Sequence, residues 1–408
     1  MQKKCILAGV ILLIALAVIF TAGCVGDDTS SDKATVELVE IAAGQQVNAL
    51  GLGQIDGLIN WQPNIAAATV SGLGKVVSYS QDLPRTGDKN WHDHTCCVFG
   101  ANEAGLKNKD MATVLTGLMI VGNQYVTDNP EASAVYAADW LYGSTNPTFG
   151  SKSVDPVEIL KASLPTIKFL NEVTDTWLAS NAEFVQIERD LGIITNNLKS
   201  TSDEETKALI YDLAPYNAAK KIISEKGTFK EPVSDTISVG HLISDHGSAL
   251  IVLLKDWKYF KDNYNTYLKP VAEKSGPVDN AELYVNGKKI CNVNIVTGTG
   301  GPNLMTMLQT NSIQYAIAGT PPYLTSIDAQ AGLKILCPIM TEGSAFVVAS
   351  SAPVNNWNEF VEWAKSRSAE GKNLIIAVPQ VHSNLATLNT SKSCLSLFFL
   401  SSSMSIPV

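Results

Sequence analysis

Long basic runs are missing from this chain, which carries 30 Lys and Arg against 39 Asp and Glu for a net charge of −9. That balance gives no electrostatic footprint for nucleic acid and excludes it as a partner. Disulfide-framework spacing is missing too. Of the seven cysteines, Cys5 and Cys24 fall in a leader, and Cys96, Cys97, Cys291, Cys337 and Cys394 follow no regular spacing. There is no C-x-x-C pair, no P-loop and no arrangement of Ser, His and Asp that supports nucleophilic catalysis. On these residues the chain is expected not to be an enzyme and to carry no cofactor.

The N-terminus does carry a signal. Lys3 and Lys4 precede an apolar run from Cys5 to Phe20, then small residues Thr21-Ala22-Gly23 and Cys24. A charged start, an apolar stretch and a small-residue cleavage site form a signal peptide over 1–23. The cysteine after Ala-Gly resembles a lipobox, which makes Cys24 the lipidation site, although Thr21 stands where Leu is usual. The other reading is an uncleaved anchor helix, since Cys5 to Val25 reaches the ~20 residues a bilayer requires. Both place the rest of the chain at the outer face of the cytoplasmic membrane. Residues 24–33 form a polar tether.

The remaining chain is 45% hydrophobic overall and long enough for two or three units of about 150 residues. It contains an internal repeat. Leu50, Ile55, Ile59 and Pro63 recur as Leu308, Ile313, Ile317 and Pro321, each set preceded by an apolar strand, Val36–Ile41 or Val293–Val296. Two strand–helix–strand units imply two similar α/β lobes, with a cleft between them as the natural small-molecule site. The expected division is a lobe over 34–225, a linker at 226–235, a second lobe over 236–385 and an irregular tail over 386–408. Asp110, Asn129-Pro130, Asp155-Pro156, the capping box at Ser202–Glu205 and Asn356 mark helix starts.

Ligands in open α/β sheets bind beyond the carboxyl ends of the strands. Five loops of the second lobe are rich in Gly, Ser and Thr, and several precede helices whose free N–H groups can hold an anion. They supply the candidates His246, Ser248, Thr299, Gly300, Gly301, Asn303, Thr320, Pro321, Ser344 and Ser383. Ordinary βα turns favour the same residues, so convergence of the loops carries the argument. In the first lobe Trp61 and Gln62 occupy the repeat positions of Gly319 and Thr320. Trp61 offers an apolar cover and Gln62 a hydrogen bond. Arg85 is a bidentate anion partner if it is not held by Asp82 or Asp88. His92, His94 and Cys96 alternate on one strand face and have zinc or copper chemistry. The alternative is a cleft loop entering a buried strand, with His94 as a ligand contact and no metal.

His246-Gly247-Ser248-Ala249, Gly319-Thr320-Pro321-Pro322, Glu342-Gly343-Ser344 and Pro379-Gln380 with Ser383 resemble the amino-terminal lobe of nitrate/sulfonate/taurine-type solute-binding proteins of ABC transporters. Val36 to Ala66, with Gly53-Gln54-Ile55-Asp56-Gly57 and Trp61-Gln62-Pro63, resembles their carboxy-terminal lobe. The resemblance implies a two-lobe α/β fold of the periplasmic-binding-protein type II class, a small anionic or zwitterionic solute in the cleft, an ABC permease as partner and a lipid anchor in the membrane. It also implies a swapped lobe order, because the Gly-Thr-Pro-Pro loop belongs to the family's first lobe and stands second here. The helix that the family places after the Ser383 loop has no counterpart. A circular permutant and a rearranged gene both fit, and the second leaves a non-binding remnant as an outcome. The same family resembles thiamine-pyrimidine synthases, with which Cys96-Cys97 and His94 share residue types, but an export signal does not suit a biosynthetic enzyme.

Overall fold

The computed structural model describes residues 36–83, 91–330 and 332–379. Cys24, Arg85, Ser383, the tether and the 386–408 tail lie outside the described residues. In chain order the strands are β1 (Val36–Glu40), β2 (Gly57–Trp61), β3 (Gly74–Tyr79), β4 (Thr95–Ala101), β5 (Thr148–Phe149), β6 (Lys152–Ser153), β7 (Ile167–Phe169) and β8 (Thr236–Leu242). There follow β9 (Thr266–Pro270), β10 (Asn280–Val285), β11 (Lys288–Gly298), β12 (Tyr315–Gly319), β13 (Lys334–Glu342), β14 (Ser344–Ala349) and β15 (Leu374–Val378).

Two mixed sheets carry the fold, one ordered β1-β15-β2-β14-β3 and the other β7-β13-β4-β12-β8-β11-β10-β9. Read from β11, the run β11-β8-β12-β4-β13 repeats the five-stranded sheet strand for strand. β1, β15 and β2 are mutually parallel, as are β11, β8 and β12. β14 runs antiparallel to β2 and β3, and β4 antiparallel to β12 and β13. The repeated residues do the same work in both sheets: Leu50, Ile55 and Ile59 are buried, and so are Leu308, Ile313 and Ile317. The mixed α/β architecture is compatible with a two-lobe binding-protein fold.

The division expected at 226–235 does not separate the sheets. The antiparallel strand of each sheet arrives from the other sheet, β4 after β3 and β14 after β13. The chain therefore changes sheets between β3 and β4 and again at Glu342-Gly343-Ser344, and the 34–225 and 236–385 halves each contribute to both sheets. Residues 226–235 stay beside the eight-stranded sheet. Phe229 is buried, with its ring against Gly117, while Lys230 pairs with Asp110 and Glu231 with Lys288. Gly, Pro and charge mark a turn in a sequence, but they do not say which elements it joins.

Helix starts follow the sequence closely. Helices run over Pro130–Tyr142, Pro156–Ser163, Asp203–Ile210 and Trp357–Ala369, with Asp155, Ser202 and Asn356 as side-chain caps. The cap of Lys109–Asp128 is Asn108, whose side chain accepts from the Met111 N–H, rather than Asp110. Two helices follow β8, Ser248–Lys255 and Trp257–Tyr264. Ala249 to Leu254 are all buried, so the first of these is apolar on every side and sits inside the molecule. Each of its large apolar side chains contributes roughly 1.5–3 kcal/mol of burial. Gly122 on Lys109–Asp128 lets the two backbones meet, since a Cβ there would lie 2.7 Å from the Ala249 carbonyl oxygen. This packing fixes the turn just before Ser248, which carries His246.

Candidate functional site

The two passages between sheets are bound to each other. Asp93 and Glu342 both adopt left-handed backbone, at φ 62° and 67°, and Gly343 follows at 81°. The Asp93 N–H donates to the Glu342 carboxylate at 2.9 Å, the Glu342 N–H to the His94 carbonyl at 3.2 Å, and the Gln62 N–H to the Gly343 carbonyl at 3.0 Å. Lys168 pairs with Asp93. Glycine is required at 343, because a Cβ would sit 2.9 Å from the Met340 methyl and 3.1 Å from His246 Nε2.

Buried polar side chains surround this crossing and hydrogen-bond one another. His94 faces the Thr95 carbonyl with Nδ1 at 3.0 Å and Ser80 Oγ with Nε2 at 2.8 Å, so it donates to the carbonyl and accepts from the hydroxyl. Burial holds its pKa below the usual histidine value. Thr95 and Thr320 share a hydrogen bond of 2.8 Å, and the Thr95 N–H donates to Ser180. Gln62 donates to Thr166 Oγ1 at 2.8 Å and accepts the Ala66 N–H at 3.0 Å. It caps the helix Asn64–Val70 while reaching the segment that leads into β7.

Next to this network Cys96, Cys97 and His246 meet, all buried. Consecutive strand residues normally face opposite ways. Here the register runs Thr95↔Thr341 and Cys97↔Met340, leaving Cys96 without a partner on β13, and such a bulge re-aims a side chain. The two sulfurs lie 3.8 Å apart, and His246 Nδ1 is 3.7 Å from Cys96 and 3.6 Å from Cys97. The ring's other nitrogen faces the Gly343 carbonyl at 3.3 Å. The hydrogen bond from Cys97 holds the Cys96 thiol well below the usual range against its burial, with help from His246. The same bond, then burial, pushes Cys97 well above it. Burial opposes a charge on His246, yet Cys96, Asp245 and the Gly343 carbonyl together raise its pKa. Asp245 is raised by burial. It accepts from Ser163 through Oδ2, while Oδ1 has no hydrogen-bond partner among the described residues.

The described sequence candidates fall into two groups. His246, His94, Gln62 and Thr320 belong to the crossing. Gln62 and His94 spend their polar atoms on the protein, which a strand-end position in a sequence does not reveal. Ser248 is buried and donates to the Asp245 carbonyl, holding the turn before its helix. Ser344 is buried and lies beside Trp61 in register. Thr299, Gly300, Gly301 and Asn303 form a second group at the end of β11. The Thr299 N–H donates to Asn303 Oδ1 at 3.1 Å, and Gly301 abuts Pro322, which brings this loop beside Thr320 and Pro321. The trio His92, His94 and Cys96, which the sequence offers either as a metal set or as part of a cleft loop without metal, does not assemble. His92 is exposed near Asp82, His94 faces Ser80, and Cys96 turns instead to Cys97 and His246. Ser80, Thr95, Cys97, Thr166 and Asp245 were not among the sequence candidates, because their partners lie far away in the chain. Surface depressions of about 440 Å³ at Pro353–Trp363 and about 260 Å³ at Asn102–Leu333 lie on the opposite strand ends.

Residues 22–141 match the NMT1-like family, a stretch that spans β1 to β4 and the first passage between sheets. The uncharacterized protein MJ1180 of Methanocaldococcus jannaschii is 34% identical over 108 residues, which cover 26% of this chain and 72% of that protein. No solved structure matches the chain. With that family match and that identity over most of the relative's length, the chain belongs to the NMT1-like family of solute-binding proteins.

Proposed function

We propose that this protein is the extracytoplasmic, lipid-anchored receptor of an ABC importer, and that it delivers a small anionic or zwitterionic solute of the sulfonate, nitrate or taurine class to a membrane permease. The observation that carries the reading is the pair of like sheets joined by two neighbouring passages, an arrangement suited to hinge closure on a solute. The solute would sit at the carboxyl ends of β2, β11 and β12. Trp61 covers its apolar part, and Thr299, Asn303 and the N–H groups at the start of helix Gly301–Gln309 bind its charged end. The swapped lobe order becomes a narrower proposal, in which β15 and β1, parallel neighbours at opposite ends of the chain, stand for two strands that relatives join through a helix.

The test is a thermal-shift screen of the full chain with taurine, short alkanesulfonates, nitrate, bicarbonate and a neutral pyrimidine. A ligand at 100 times its Kd stabilises by about 2.7 kcal/mol. One of the anions or zwitterions should raise the melting temperature, and Thr299→Val with Asn303→Ala should abolish the rise. A folded protein that responds to none of them, or only to the pyrimidine, overturns the proposed solute class.

A further inference from the structure

The geometry points to a buried copper(I) site made by Cys96, Cys97 and His246, which ties the strand after the first passage to the turn before helix Ser248–Lys255. The three donor atoms stand 3.6, 3.7 and 3.8 Å apart. A metal held ~2.3 Å from each sulfur and ~2.0 Å from the nitrogen places its donors about 3.6–4.0 Å from one another, across trigonal and tetrahedral geometry. The side chains already stand at coordination spacing.

The histidine is oriented for the task. Its Nε2 faces the Gly343 carbonyl, which only accepts, so that nitrogen carries a proton and Nδ1 is the ligand atom directed at the sulfurs. The Gly343 carbonyl also accepts the Gln62 N–H, so the orienting group is itself fixed. The bulge at Cys96 supplies what a regular strand denies to adjacent cysteines, two sulfurs on one side. Opposite Cys97 stands Met340, fully buried, whose methyl approaches the same space as the His246 ring.

The donor set selects the ion. Among the described residues no carboxylate joins the cluster, so magnesium and calcium lack their oxygen ligands. Zinc in closed sites takes four protein ligands, and among the described residues this cluster offers three. Two soft sulfurs and one imidazole in a dry, closed pocket match copper(I), which accepts three-coordinate soft surroundings. Binding replaces thiol protons with the metal, each released to solvent, so loading weakens in acid.

The experiment uses the full chain, reduced and anaerobic with ascorbate, titrated with copper(I) against bicinchoninate. One equivalent should be withdrawn from the competitor, and X-ray absorption of the loaded wild type should show two sulfurs and one nitrogen. Cys97→Ser and His246→Asn should each lower affinity ~100-fold or more, whereas Cys291→Ala, buried outside the cluster, should leave it unchanged. Circular dichroism identifies variants that fail to fold, and the absorption spectrum of the wild type decides independently of them. No withdrawal of copper, a donor set without two sulfurs, or displacement of copper by equimolar zinc would overturn the site.

Discussion

Replacing Gln62 by alanine should loosen the contact between the two sheets by an amount the structure bounds. Gln62 is 1% exposed and makes two side-chain bonds, one to Thr166 and one from the Ala66 N–H. Losing the Thr166 bond costs about 0.5–1.5 kcal/mol, and stranding the buried Ala66 N–H adds about 1–3 kcal/mol. Their sum, roughly 2–4 kcal/mol, is large against ordinary protein stability. Thr166→Val should spare the helix cap, losing the Gln62 bond and the hydroxyl's own bond to the Ser163 carbonyl at 2.8 Å. Urea unfolding of the wild type, both single variants and the double variant closes a cycle. The coupling between the two positions should be about 0.5–1.5 kcal/mol. A Gln62→Ala protein within ~0.5 kcal/mol of wild type, or a double variant whose loss is the plain sum of the singles, would refute the idea that this side chain both caps its helix and bridges the sheets.

Three further outcomes are expected. Burial, then the charge of Asp328, raises the Glu188 carboxyl well above its usual range. The folded state therefore keeps a proton that the unfolded chain loses. This contribution is complete below the unfolded value of ~4.3 and is lost as pH rises toward the folded one. Glu188→Gln should flatten that decline in urea midpoints between about pH 5 and 8, and an unchanged slope would exclude Glu188 as its source. Gly343→Ala should destabilise more than Gly371→Ala. Both residues have positive φ, which alone costs ~1–2 kcal/mol, but only at Gly343 does a Cβ meet neighbours; equal losses would mean that Met340 and His246 yield freely. Cys24→Ser should release the protein from membranes or block its processing, whereas retention at unchanged size would favour an uncleaved anchor helix.

Much of the scaffold is legible in the sequence because its signals are local. Apolar runs bounded by turns mark β2, β3, β12 and β15, and Pro at a first helical position marks Pro130 and Pro156. The repeat is readable because Leu50, Ile55 and Ile59 fill the same places in one βαβ unit as Leu308, Ile313 and Ile317 in the other. What escaped was pairing at long range. A short apolar run marks Ser344–Ala349 as a strand buried almost throughout but not that it lies between β2 and β3, since any apolar strand face accepts another. The Cys96–Cys97–His246 cluster escaped for a related reason. Regular strand alternation separates Cys96 from Cys97, and the bulge that reunites them depends on β13, a distant partner. Gln62 was read as a ligand contact because it ends a strand, a position equally suited to capping the helix that follows.

The pairing of β1 with β15 also sets a schedule for making this protein. β1, β2 and β3 leave the ribosome early, but their sheet stays incomplete until β14 and β15 are translated. At about 5–20 residues per second, the intervening chain takes roughly 15–60 seconds to synthesise. During that wait the eight-stranded sheet has nearly all its strands in hand, while the first three strands emerged have edges open to wrong partners. Closing the β1–β15 pair joins segments from opposite ends of the chain, a contact order that slows folding. A nascent chain of this design keeps its first sheet open until β14 and β15 have been made, so its first three strands depend during that wait on something other than their native partners.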